Sequence, residues 1–288
     1  MQQSRAITRK SASNLALAFV LLPRAKRDAM SALYAFCREV DDVADEETVP
    51  LAERRARLDA WRADVRRACD AGVPEFPVNR ELQGVIRQHH LPFDLFDALL
   101  QGVEMDLAIN RYPDYDQLDL YCYRVASVVG LLSIEIFGYQ DPACRDYAVY
   151  LGKAFQLTNI LRDIRTDAER GRIYLPLSEL ARFQVTPEEI LGLQYSERFC
   201  ALAGEVAGRA RRFYRLARET LPAADRRSMV AAELMGSVYW RILRKLERRR
   251  FQVFGPQRTR LGQAQKLALI LRAWWRAVSG ASSPAYGC

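Results

Sequence analysis

Helical periodicity constrains this chain more than any other feature of its sequence. Apolar residues recur three and four positions apart from about residue 4 to about residue 278, the pattern of amphipathic α-helices. The periodicity predicts helices over 4–22, 23–46 (opened by Pro23), 50–71, 79–90, 92–110, 116–138, 142–169, 187–219, 222–252 and 260–278. They are parted at Gly72-Val-Pro74, Leu91-Pro92, Tyr112-Pro113, Asp141-Pro142, Gly171, Thr186-Pro187, Leu221-Pro222 and Gly255-Pro256. No break is long enough for a linker, and no repeat or low-complexity tract divides the 288 residues. With only 15 Gly and 12 Pro there is little turn chemistry for a sandwich or barrel. The expectation is an all-α, single-domain fold over 1–288, with 279–288 a loose tail.

Several chemistries are short of material. His89 and His90 are the only histidines, and neighbours in sequence point to different faces of a helix. The six cysteines are dispersed without a Cys-x-x-Cys pair, so reduced thiols and a cytoplasmic setting are expected. No Gly-x-Gly-x-x-Gly fingerprint announces NADPH. The net charge of +8 favours an anionic partner, with bases crowded at Arg241, Arg244, Lys245, Arg248, Arg249 and Arg250. No nucleic-acid-binding signature accompanies them, leaving a phosphorylated substrate or a membrane surface, or simply a solvated helix face. The apolar run Leu15–Leu22 is eight residues, against roughly 20 for a bilayer span. A protein that contacts membranes only peripherally is the expectation.

Two Asp-x-x-x-Asp pairs stand out, Asp41/Asp45 and Asp163/Asp167. Positions i and i+4 share a helix face, where two carboxylates repel unless a cation lies between them. Both pairs sit on otherwise apolar helices, which turns that face inward. Hard oxygen ligands without Cys or His suit Mg²⁺, completed by water and substrate phosphate. An ordinary acidic helix end is the plain alternative for the first pair. The second pair is extended along its helix by Asn159 and Gln156. Tyr34 and Arg38 precede the first pair at helical spacing, and Arg162 and Arg165 flank Asp163. A guanidinium beside metal carboxylates is suited to a diphosphate, although intrahelical Arg–Asp pairing would use the same spacing. The stretch 121–134 is apolar, with Ala126, Ser127 and Gly130 small enough for close helix packing or for an isoprenoid chain.

Tyr34-Ala-Phe-Cys-Arg-Glu-Val-Asp-Asp-Val-Ala-Asp45, Tyr121-Cys-Tyr-Arg-Val-Ala-Ser-Val-Val-Gly130 and Gln156-Leu-Thr-Asn-Ile-Leu-Arg-Asp163, with Asp167 and Gly171-Arg-Ile-Tyr-Leu-Pro176, resemble the head-to-head prenyl synthases that include squalene and phytoene synthases. The resemblance spans residues 10 to 260 and implies an isoprenoid-synthase-type helical bundle around a central cavity. It implies a cluster of Mg²⁺ held by Asp41, Asp45, Asp163 and Asp167, with Asn159 as a further ligand. Tyr34 and Arg38 would contact diphosphate, as would Ser11 and Ser13, Arg162, Tyr239 and Arg258, with Arg260 an alternative to Arg258. Tyr121, Val125, Ala126 and Gln156 would border the substrate. Ser127, where the family often has Gly, and Asn14, where it often has Phe, depart from the pattern.

The segments Ala18–Pro23, Val125–Ser133 and Ile136–Tyr139 resemble the bacterial enzymes of hopanoid biosynthesis that make presqualene diphosphate. The implied reaction joins two farnesyl diphosphates: ionisation of one, attack by the C2=C3 bond of the other, and proton loss to released diphosphate or to a tyrosine. The implied partners are farnesyl diphosphate and downstream isoprenoid enzymes. Phytoene synthesis from geranylgeranyl diphosphate is the enzymatic alternative. A non-catalytic helical assembly protein is the alternative of another class, disfavoured because all four aspartates are retained.

Overall fold

A computed structural model describes residues 1–10, 18–279 and 286–287, with backbone only for part of the last helix. Its helices are α1 (Gln2–Lys10), α2 (Arg24–Asp45), α3 (Leu51–Cys69), α4 (Pro77–His89), α5 (Phe93–Ala108), α6 (Tyr115–Phe137), α7 (Cys144–Glu169), α8 (Leu177–Arg182), α9 (Pro187–Leu191), α10 (Glu197–Thr220), α11 (Val230–Arg248) and α12 (Gln263–Ser279). Among the described residues there is no strand, only one parallel bridge between Arg111 and Ile173.

The punctuation works locally as the residue types dictate. Pro77 and Pro187 occupy the first helical positions of α4 and α9, where a missing N–H costs nothing. Asp114 caps α6 by accepting from the Gln117 N–H at 3.0 Å. The expected helix 187–219 is two helices. Gly192 ends α9, Leu193 follows with φ 54°, and Ser196 opens α10 by accepting from the Phe199 N–H. Of the expected helix 4–22, the described residues hold α1 up to Lys10 and a short 3₁₀ turn over Phe19–Leu21, and residues 11–17 lie outside the described residues. The helix expected from 222 begins as a 3₁₀ turn, Ala223–Asp225, and α11 proper starts at Val230.

One apolar core runs continuously through the bundle, with α7 and α10 packed along each other at its centre. α6 is long and apolar enough by composition to cross a membrane, but half of its apolar window is buried inside the bundle. Its middle, Tyr123–Ser127, widens into a π-helical turn. α7 approaches this turn so closely that a Cβ on Gly152 would lie 2.6 Å from the Ser127 Cα.

The loose tail needs correction at Tyr286. Its side chain is fully buried, filling the space over Gly236, where an added Cβ would lie 2.4 Å from the ring. Its hydroxyl donates to Glu233, which also accepts from Tyr147 at 2.7 Å. The partly buried Glu233 carboxylate, shared by two buried phenols, ties Tyr286 to α7 and α11.

Candidate active site

Tyr34, Arg38, Asp41 and Asp45 lie along one face of α2, and Gln156, Asn159, Asp163 and Asp167 along one face of α7. These two faces border a common cleft of about 300 Å³, joined by Asp106 from α5, Tyr121 and Val125 from α6, and Arg170, Arg172 and Tyr174 beyond α7. Arg38 and Arg162 line this acidic cleft and also a second, larger one of about 790 Å³. Lys10, Tyr34, Tyr239, Arg258, Arg260 and Lys266 give the second cleft its basic and phenolic walls.

The four aspartates divide by partner. Asp163 is gripped by two guanidinium forks: Arg162 at 2.9 and 2.6 Å, and Arg258 with its Nε at 2.6 Å. Burial pushes the Asp163 carboxyl up, but the two arginines outweigh it and hold it below the usual range. Asp45 is met by Arg170 at 3.1 Å and Arg172 at 3.5 Å. Among the described residues, no ion-pair partner reaches Asp41 or Asp167. Asp41 is exposed to solvent in the cleft, yet desolvation by the cleft wall, then Asp106 and Asp45, push it up to about 7 against the pull of Arg38. Burial, then Asp163 and Asp106, do the same to Asp167, also to about 7.

Two features of this cleft fit a hard cation. The Asn159 Oδ1 is buried without a hydrogen-bond partner, an acceptor whose desolvation is uncompensated. Two unpaired carboxylates with raised affinity for a proton are bases of the kind a divalent ion displaces protons from. Among the described residues, no three His, Cys, Asp or Glu side chains converge into a complete protein cage. Mg²⁺ needs none, because it keeps waters and takes phosphate oxygens.

Asp106, which sequence reasoning missed, organises the inner wall. It accepts from Tyr121 at 2.9 Å and from Tyr174 at 2.7 Å, and burial raises its carboxyl despite both bonds. The Tyr121 and Tyr174 rings stack with centroids 5.2 Å apart, and Tyr112 packs beside both. A lone Asp in Glu104-Met-Asp106 carries no pairing signal; it becomes recognisable only when α5 meets α6.

Behind the turn in α6 lies an apolar cavity of about 110 Å³, bordered by Ala126, Gly130, Gly152, Phe155 and Met235. Phe155 stacks on Tyr239 with centroids 4.6 Å apart, so one aromatic pair separates the cavity from the basic cleft. The small residues permit close helix packing, and a small apolar space remains beside them.

The family model for squalene/phytoene synthase matches residues 8–265. The chain belongs to the squalene/phytoene synthase family. It is 39% identical over 270 residues to a phytoene synthase of Arthrospira platensis, covering 88% of this chain and 85% of that one. It is 37% identical over 262 residues to a presqualene diphosphate synthase of Rhodopseudomonas palustris, covering 90% and 92%. The crystal structure of a dehydrosqualene synthase with ligand superposes with TM-score 0.83 at 28% identity, covering 96% and 95%. As in that squalene/phytoene synthase relative, the fold is an isoprenoid-synthase helical bundle.

Within this family member, most of the anticipated residues converge. Asp41, Asp45, Tyr121, Val125, Gln156, Asn159, Asp163 and Asp167 line the acidic cleft, Tyr34, Tyr239 and Arg258 the basic cleft, and Arg38 and Arg162 both. Ala126 borders the apolar cavity. Ser11 and Ser13 lie outside the described residues. Arg38 bonds Asp42 one turn on, with its Nε at 3.1 Å, the intrahelical Arg–Asp pairing that the same spacing allows. One local pairing differs from expectation. Arg165 turns away to Glu169 and the Phe254 carbonyl, because its position lies off the cleft face.

Proposed function

We propose that this squalene/phytoene synthase condenses two farnesyl diphosphates head-to-head into presqualene diphosphate, releasing diphosphate. The observation that carries the reading is contiguity: an acidic cleft, a basic phenolic cleft and an apolar cavity meet around Arg38, Arg162, Tyr239 and Phe155. That is the layout required by a substrate with a charged head and a hydrocarbon tail. In this reading Asp41, Asp45, Asp163, Asp167 and Asn159 hold Mg²⁺. When bound, the metal supplies positive charge against the leaving diphosphate.

The chain's own residues do the rest. Arg162 and Arg258, which hold Asp163, and Arg170 and Arg172, which hold Asp45, would supply guanidinium donors to diphosphate oxygens. Tyr34, Arg38 and Lys10 orient the second head group in the basic cleft. Apolar and aromatic walls exclude water from the allylic cation and offer it π-faces. Tyr121 supports the tyrosine route for proton loss, since its hydroxyl is already hydrogen-bonded to Asp106 and can pass a proton on to it. The site requires no nicotinamide for this half-reaction, which places reduction of the product outside the reading. The dispersed cysteines, five of them free among the described residues, support a cytoplasmic location.

The reading of farnesyl rather than geranylgeranyl diphosphate leans on the 37% identity to the Rhodopseudomonas palustris presqualene diphosphate synthase. The small cavity, about 110 Å³, adds only that a longer tail asks more of its walls. Phytoene synthesis is the second reading, favoured by the 39% identity to the Arthrospira platensis protein. Product analysis by mass spectrometry, offering the two diphosphates separately, decides between them. A C30 diphosphate from farnesyl diphosphate alone is the expected product, and phytoene as the sole product would overturn the assignment.

A further inference from the structure

The positive charge of the chain is gathered at its end. Residues 248–288 hold eight Lys and Arg and no Asp or Glu, matching the net +8 of the whole protein, so residues 1–247 are balanced. Within that segment α12 is amphipathic in an unusual sense, because both of its faces carry large apolar groups. Leu269, Ile270 and Ala273 pack inward on the bundle. Leu267, Leu271 and Trp275 point outward at four-residue spacing, 57%, 57% and 61% exposed. The other exposed large apolar side chains are dispersed singly over other elements, which is ordinary for a protein surface. The α12 row is continuous and runs about 12 Å along the helix.

Its surroundings indicate what covers it. Arg272 is exposed beside the row, and Arg260 is exposed just before the helix. Lys266, adjacent in sequence to Leu267, lines the basic cleft together with Arg260. The apolar row thus begins where the cleft that receives the substrate head group ends. Leu and Trp flanked by Lys and Arg, without acids, are the components of a helix that lies in a bilayer interface. A second copy of the chain is the poorer occupant, since apposing two faces of this segment brings like charges together.

We propose that α12 docks the protein on an anionic phospholipid bilayer, with Leu267, Leu271 and Trp275 entering the boundary between head groups and acyl chains. The basic cleft then opens at the surface that holds amphiphilic prenyl diphosphates; that last consequence rests on the proposed function, whereas the docking does not.

The test is co-sedimentation of the full chain with vesicles of phosphatidylcholine alone or mixed with phosphatidylglycerol, at low and high salt. Binding to the mixed vesicles should exceed binding to phosphatidylcholine by at least about tenfold and fall with salt. The double variant Leu267→Ser/Leu271→Ser should lose at least about tenfold in partitioning with an unchanged melting temperature. Should that variant unfold, Arg272→Glu and Trp275→Ser carry the same expectation singly. Asp41→Asn should bind vesicles like the parent, which separates failure of docking from failure of the proposed chemistry. Equal binding to both vesicle types, or no loss in the variants, would overturn the proposal. So would a lipid-free dimer that the double substitution dissolves, which would make the face a contact between copies.

Discussion

Asp163 and Asp41 differ in what their removal leaves behind. Asp163 neutralises Arg162, whose side chain is only 12% exposed, so Asp163→Ala strands a largely buried cation. Breaking a buried pair costs about 3–5 kcal/mol, and thermal melts of this variant should show a loss of that order, moderated by the open cleft. Asp41→Ala removes a carboxylate with no ion-pair partner among the described residues, and its melting temperature at pH 8 should match or exceed the parent's. Turnover should nevertheless fall in both variants by at least about 10–100-fold. Equal destabilisation would contradict the division of the aspartates into arginine-held and unpaired.

The unpaired carboxylates also set a pH dependence. Asp41 and Asp167 are raised from 3.8 to about 7, so in the folded, metal-free protein they hold protons that the unfolded chain has released. Their contribution to stability is therefore complete below about pH 4 and lost as pH rises through about 7. The melting temperature without metal should fall between pH 5.5 and 8, and Mg²⁺ should reverse the fall. Apparent Mg²⁺ affinity should weaken as pH drops below 7, since protons compete for the same oxygens. A melting temperature indifferent to Mg²⁺ at pH 8 would count against the metal site.

At the scale of the elements, the junction of α6 and α7 connects packing to the site. The π-helical turn Tyr123–Ser127 directs Val125 to the acidic cleft and Ala126 to the apolar cavity. Gly152 permits the close approach that keeps the turn in place. Gly152→Ala puts a methyl 2.6 Å from backbone, so the helices must separate. A loss of about 1–3 kcal/mol is expected by denaturant unfolding, with activity falling further than stability does. An unchanged midpoint would show that the junction is looser than its geometry states.

What was legible in the sequence follows from the same distinction between local and distant. The i, i+4 carboxylates and the Asn159/Gln156 stripe are visible because a helix face is a local property. Asp106 and Arg170 were not, and Arg172 was visible only as a member of the Gly171–Pro176 motif, since their relation to the aspartate pairs exists only once α5 and the Arg111–Ile173 bridge place them there. Arg258 is separated from Arg260 only by its grip on Asp163 across 95 positions. The π-helical turn and the burial of Tyr286 carry no periodic signal of their own. They come from tertiary packing against Gly152 and Gly236.

For the molecule as a whole, charge is sorted in space: carboxylates across the cleft between α2 and α7, guanidinium groups at its rim, and hydrocarbon behind the turn in α6. Such an arrangement binds a cation, an anion and an apolar chain at adjoining positions, and rigid helices hold all three in register. The measurement that tests this most directly is the metal dependence of condensation: purified protein, farnesyl diphosphate as sole substrate, and mass-spectrometric detection of the C30 product with Mg²⁺ or with EDTA. Product with Mg²⁺, loss of product in EDTA and restoration on adding the ion back are predicted. Undiminished condensation in EDTA, or no C30 product with Mg²⁺ present, would contradict the account.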